Sequence, residues 1–206
     1  MVKVWGRLNS INVQKVVLAL EEAGVAYERV DAGLQFGINN TPEYKAMNPM
    51  GLIPLIDDDG FVLWESNAIT RYLCAKYAAG KFYPENLQER ADAERWMDWQ
   101  TATLNAAMVP AFYNLIRVAP EKRDMEAVES SRKKCIELIA MFDAHLKGRD
   151  FVTGKTFGMG DLGLAPIMHR WLHMPCEIAP VPHVEAWYQR LMQRPAFQKV
   201  LTLPLS

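Results

Sequence analysis

Two short stretches carry residue types that could serve one ligand. They are Asn48-Pro49-Met50-Gly51-Leu52-Ile53-Pro54 and, eleven residues on, Glu65-Ser66-Asn67-Ala68-Ile69. Proline has no backbone N–H and sits poorly in a central strand, so Ile53-Pro54 reads as a strand edge or a cis turn. A cis bond would turn the Ile53 N–H and C=O outward, where an extended peptide could pair with them as an added strand. Phe61 to Trp64 reads as a strand, and Ala68, Ile69, Tyr72, Leu73 and Tyr77 recur at helical spacing. Ser66 therefore falls at or near a helix N-terminus, where free N–H groups and the helix dipole favour an anion. The Glu65 carboxylate beside it offers a partner for an amine. A ligand bearing ammonium and carboxylate on one carbon would use both, although an isolated Glu-Ser more often marks only a helix cap.

The flanking elements must hold these stretches in place. Lys3 to Trp5 begins a strand, and Val13, Val16, Val17 and Leu20 mark a helix ending at Gly24. Tyr27 to Val30 is a second strand, and Phe36 to Tyr44 reads as a loop rich in turn residues. Leu52 to Ile56 and Phe61 to Trp64 flank Asp57-Asp58-Asp59-Gly60, a hairpin signal. Those aspartates lack calcium-loop spacing and read as a solvated turn.

Ala78 to Glu85 breaks the pattern and marks a linker. Beyond Gln88 the strand signal ends. Arg90 to Ile116 predicts a long helix bent by Pro110, and Met125 to Leu146 predicts another with one apolar stripe. Further helices are expected at Leu162 to Leu172 and His183 to Met192. No repeat or low-complexity tract interrupts them.

Composition sets outer bounds. With 206 residues, 50% hydrophobic and 23% charged, the chain can bury a sizeable core as one large domain or two smaller ones. A net charge of -1 gives no footing for nucleic acid or an anionic membrane. Met1 to Arg7 has no apolar leader, and no run reaches transmembrane length. Cys74, Cys135 and Cys176 are scattered without paired spacing, which fits a reducing cytoplasm better than a disulfide framework. His169 and His173 stand one helical turn apart, but no third metal ligand accompanies them, so a structural role is expected.

Asn-Pro-x-Gly-x-Ile-Pro, then a hairpin, then Glu-Ser-x-Ala-Ile-x-Arg-Tyr-Leu, together with the tail Arg194-Pro195-Ala196-Phe197, resembles the glutathione transferases over nearly the full chain. Bacterial members of the serine-type, theta- and phi-like branch are the nearest in pattern. The resemblance implies a thioredoxin-like α/β domain at 1–79 that binds glutathione. An all-α domain at 88–206 would follow, forming the electrophile site and part of a homodimer interface. Glutathione would be the co-substrate, with no metal.

Ser10, near the start of the first helix, falls where serine-type members carry their catalytic hydroxyl. Such chemistry needs a donor rather than a base. A thiol with a pKa near about 8.5 is mostly protonated at neutral pH, and a hydroxyl donating to sulfur at a helix N-terminus favours the thiolate. Each unit of lowering requires about 1.4 kcal/mol, within reach of one hydrogen bond to a charge. Asn12 is the second candidate donor, and Asn9 also lies close in sequence. No Cys precedes position 74, which disfavours the cysteine-type branch.

By the same resemblance Ile53 holds the cysteinyl unit through its backbone, and Glu65 and Ser66 hold the γ-glutamyl end. Asn39 and Asn40 stand where relatives place basic residues for the glycine carboxylate, and Leu52 replaces a polar residue. Modest glutathione affinity is therefore expected. Met108, Phe112, Tyr113 and Ile116 on the bent helix are the candidate electrophile pocket, with Arg117 near that helix's end. Gly158-Met159-Gly160-Asp161 lacks the family's capping hydroxyl but keeps its aspartate, and a Phe157–Leu162 staple is possible. Glutathione-dependent dehalogenation, isomerisation or disulfide and peroxide reduction are alternative chemistries, and a non-enzymatic interaction module is a further one.

Overall fold

In the computed structural model the chain builds four strands and then a helical half. The structure describes residues 1–203 and 205; Pro204 and Ser206, at the end of the second expected domain, lie outside them. Strand β1 (Val2–Trp5) pairs in parallel with β2 (Tyr27–Val30), and helix α1 (Ile11–Ala23) connects the two. On its other side β1 pairs antiparallel with β3 (Leu55–Asp58), which pairs antiparallel with β4 (Phe61–Trp64). The sheet order β2-β1-β3-β4 is thioredoxin-like.

Helix α1 is buried on nearly every side, which its run of Val, Leu and Ala permits. It packs against α3 (Ser66–Tyr77), α7 (Met159–Leu172) and α9 (Pro195–Val200), so it forms the seam between sheet and helices. One continuous apolar core runs from Val2 and Val4 through Met97 and Phe142 to Trp187 and Leu191. The helical half comprises α4 (Leu87–Trp99), α5 (Asn105–Phe112), α6 (Met125–Leu146), α7, α8 (Pro182–Met192) and α9.

Several elements differ from the sequence reading for identifiable reasons. The third strand begins at Leu55 rather than Leu52, because Pro54 has no N–H for the ladder. The hairpin turn is Asp59-Gly60, both at positive φ (52° and 92°), as a two-residue type I′ connection requires. Asp58 is not solvated: it is 2% exposed and accepts hydrogen bonds from the Tyr72 and Tyr77 hydroxyls and the Lys76 ammonium. The Lys76 ammonium and the two hydroxyls hold its carboxyl below the ordinary range against the effect of burial.

The expected loop at Phe36–Tyr44 contains two 3-10 turns and then α2 (Pro42–Met47). Thr41 caps α2 by accepting from the Tyr44 N–H, with Pro42 at the first helical position. The long helix expected at Arg90–Ile116 instead starts at Leu87 and is interrupted by π turns at Gln100–Leu104 and Tyr113–Arg117. Asp161, in the first turn of α7, replaces the missing cap hydroxyl. Its carboxylate accepts from the N–H groups of Gly158 and Val152 and from Trp187 Nε1 at 2.9, 2.9 and 2.7 Å.

Candidate active site

The peptide bond Ile53–Pro54 is cis, and both residues line a groove of about 60 Å³ together with Asn12, Trp64, Glu65 and Ser66. Asn48, Met50 and Leu52 complete the lining. Residues from four separate segments therefore converge: the first turn of α1, the loop before β3, the end of β4 and the start of α3.

Glu65 stands at the N-cap of α3 with φ 74° and ψ 111°, a conformation that non-glycine residues reach only at a cost. Its side chain makes no capping bond, so the first-turn N–H groups of α3 are not answered by it. Ser66 is the first helical residue, not the cap, and is 6% exposed. Its hydroxyl donates to Asn12 Oδ1 at 3.3 Å, and its carbonyl accepts from the Thr70 hydroxyl at 2.8 Å.

Ser10 caps α1 by position, with φ -86° and ψ 123°, yet its side chain makes no capping bond. Its own N–H donates to the Arg7 carbonyl at 3.2 Å, and its carbonyl starts the helix by accepting from Gln14 at 2.8 Å. The first turn of α1 divides two cavities. Asn12 lines the groove just described, whereas Asn9, Ile11 and Gln14 line a smaller cavity of about 30 Å³ with Phe112, His169 and Arg170. Ser10 stands at the start of that turn, is 8% exposed and lines neither cavity.

The remaining candidates are distributed unevenly. Asn39 donates to the Gly51 carbonyl at 2.7 Å, bracing the loop before Ile53, and lies outside the groove lining. Leu52 is 59% exposed at the rim, while its carbonyl accepts from the Tyr44 hydroxyl and Asn48 Nδ2. Of the four pocket candidates, Phe112 lines the small cavity, Met108 is fully buried in the core, Ile116 is partly buried and Tyr113 is exposed.

Beneath the groove lies a charge that the sequence reading missed. Lys15 is fully buried, and its ammonium donates to Asn67 Oδ1 at 3.0 Å and to Gln100 Oε1. Asn67 in turn donates to the Met97 carbonyl and the Thr101 hydroxyl, so this network joins α1 and α3 to the helical half. Burial drives Lys15 down to about 7, partly offset by the Glu65 carboxylate. A lysine embedded in an apolar helical run was the available signal. His169 and His173 both make hydrogen bonds within the fold. His169 bonds Tyr188 and the Thr202 carbonyl, His173 donates to the His169 carbonyl, and no group of three or more potential ligands occurs among the described residues.

The fold and sequence match known proteins. Residues 1–75 match the glutathione S-transferase N-terminal domain and residues 103–195 match the C-terminal domain. The chain is 43% identical to glutathione S-transferase GstB of Escherichia coli, with both chains covered in full. It is 32% identical to the probable glutathione S-transferase GSTF1 of Oryza sativa, covering 97% of this chain and 94% of that one. The theta class glutathione S-transferase of Xanthomonas axonopodis, solved with glutathione bound, superposes with a TM-score of 0.96 at 42% identity, covering 100% of this chain and 99% of that one. The chain belongs to the glutathione S-transferase family.

Proposed function

We propose that this glutathione S-transferase holds glutathione along the Ile53–Pro54 groove and directs its sulfur at a small electrophile. The convergence of Ile53, Glu65, Ser66 and Asn12 on one groove at the start of α3 carries this reading. The ligand's γ-glutamyl carboxylate meets the first-turn N–H groups of α3 and the Ser66 hydroxyl, and its ammonium meets Glu65. The Ile53 backbone pairs with the cysteinyl unit. Neutral Asn39, Asn40 and Leu52 at the opposite end leave the glycine carboxylate weakly held.

Residues 1–79 thus bind the peptide, and residues 88–206 shape the electrophile side. The Ser10 hydroxyl is not engaged in capping and donates to the thiol sulfur, with Asn12 as the neighbouring amide donor. The thiolate then attacks an electrophilic carbon, forming a C–S bond while a leaving group departs with its electron pair or a double bond accepts the charge. The enzyme works as a homodimer in the cytoplasm. The three free cysteines suit a reducing compartment, and among the described residues no helix is long and apolar enough to cross a membrane.

Calorimetric titration tests the binding mode. Glutathione should bind, whereas the dipeptide cysteinylglycine, lacking the γ-glutamyl unit, should lose about 10-fold or more in affinity. Equal binding of the two would contradict the assignment of Glu65 and α3.

A further inference from the structure

Lys15 bears a charge that the reading above does not use. Its ammonium is fully buried, and its hydrogen-bond partners among the described residues are neutral: Asn67 Oδ1 at 3.0 Å and Gln100 Oε1. Two side-chain links join α1 to α3 in succession. Asn12 meets Ser66 at the groove, and Lys15, one turn further along the same face of α1, meets Asn67. The ammonium therefore lies beneath the first turn of α3, the turn assigned to the γ-glutamyl carboxylate.

This is an unfavourable place for a cation. A helix N-terminus carries partial positive charge of its own, and two neutral acceptors only partly replace the water that an ammonium loses on burial. The cluster is also short of acceptors, since Gln100 Nε2 is buried without a hydrogen-bond partner among the described residues. Charged neighbours give little relief. Arg71 on α3 and Asp98 on α4 act on Lys15 with opposite sign and pair with each other. On α7, Asp161 is taken up by Gly158, Val152 and Trp187, while His169 and Arg170 line the cavity on the other side of α1. On α9, Lys199 pairs with Glu21. Glu65 is the remaining anion drawn to Lys15, and the ligand's ammonium is assigned to that same carboxylate.

Glutathione alters this balance. It carries two carboxylates against one ammonium, so it brings net negative charge to the groove even with its sulfur blocked. We propose that Lys15 is a positioning residue, the buried counter-charge for the carboxylate held at the start of α3, so that ligand binding and protonation of Lys15 promote one another. This rests on the transferase reading above and assigns a further residue to its glutathione site. In the free protein burial holds the ammonium down to about 7, with Glu65 opposing, so near neutral pH Lys15 is divided between amine and ammonium. An anion at the first turn of α3 acts through a poorly screened interior and favours the charged form. By linkage, the charged form binds the ligand more tightly by the same factor.

S-methylglutathione is the probe, because it has no thiol to titrate. An NMR titration of the lysine Cε resonances in the wild-type protein should show Lys15 titrating near 7. Saturation with the probe should raise that value by at least about one unit, a tenfold coupling. Calorimetry at pH 7 in buffers of different ionisation heat reads the same coupling. The wild type should take up about 0.4 proton more on binding than Lys15→Arg, whose guanidinium stays charged. A Lys15 resonance unmoved by saturation, or equal uptake by the two proteins, would overturn the proposal. The resonance decides the matter even if the variant fails to fold. If S-methylglutathione binds without moving Lys15, the counter-charge falls while the transferase reading stands. If it does not bind, both fall.

Discussion

Ser66 Oγ donates to Asn12 Oδ1 at 3.3 Å and so ties the first turn of α3 to the first turn of α1. The bond links the proposed γ-glutamyl anchor to the turn that carries the proposed thiol donors, Ser10 and Asn12. Because the Asn12 oxygen faces Ser66, its amide nitrogen is the end left for sulfur. Asn12→Asp keeps the acceptor for Ser66 and replaces the donor with negative charge. The bound thiol pKa should rise by about one unit, since a like charge a few ångströms away disfavours the thiolate. Thiolate absorbance of the glutathione complex measures it, and an unchanged pKa would remove Asn12 from the sulfur's surroundings.

Glu65 joins function to backbone cost. At φ 74° it occupies a conformation natural to glycine. Glu65→Gly should relieve on the order of 1 kcal/mol, raising Tm by about 2–4 °C for a chain of this size. The same change removes the carboxylate proposed to hold the ligand's ammonium, so the glutathione Kd should rise about 10-fold. Calorimetry and thermal melts should therefore move in opposite senses. A fall in Tm would show that the carboxylate supports the fold instead.

Asp161 is the structural keystone of the helical half. Asp161→Ala would leave the N–H groups of Val152 and Gly158 and the indole N–H of Trp187 buried without acceptors. At about 1–3 kcal/mol for each orphaned group, partly relieved by relaxation, the loss should reach about 3–5 kcal/mol. Urea denaturation would report it, and a loss under about 1 kcal/mol would mean that water replaces the carboxylate.

His169 should make the protein acid-sensitive. A carbonyl can only accept, so Nε2 carries the proton toward Thr202, and Nδ1 accepts from the Tyr188 hydroxyl at 2.6 Å. Burial, and then His173, lower its pKa from 6.5 to about 4. Between those values the unfolded chain binds the proton and the native one does not. This contribution to stability is therefore present above about 6.5 and is lost as pH falls toward about 4. Between pH 7.5 and 5 the loss attributable to His169 should be about 2 kcal/mol. His169→Gln, which can keep both hydrogen bonds, should flatten that part of the profile. Parallel profiles for the two proteins would contradict it.

Much of this architecture is legible in the residues because the signals are local. The apolar run of α1, the turn at Asp59-Gly60 and the Ile53-Pro54 step each declare themselves within a few positions, as does the acid-hydroxyl pair at Glu65-Ser66. What escapes the sequence depends on distant partners. Asp58 reads as one of three turn aspartates until Tyr72 and Tyr77 fold over it from α3. Helix α2 is hidden by the turn residues around Thr41-Pro42, whose capping pattern is the only sign of it. Arg170 sits far along the chain in α7, and only the packing of α1 against that helix brings it to the cavity lined by Asn9 and Gln14. Met108 shows the limit of helical periodicity: it shares an apolar helix with Phe112, but the π turns around α5 help settle which residue faces the cavity.

The role proposed for Ser10 is to turn the bound thiol into a thiolate. The most direct measurement is the thiolate absorbance of saturating bound glutathione across pH, in wild type and in Ser10→Ala. The wild-type pKa should lie at least about one unit below the free value of about 8.5 and return toward that value in the variant. Bound glutathione that titrates at its free value in the wild-type enzyme would contradict it.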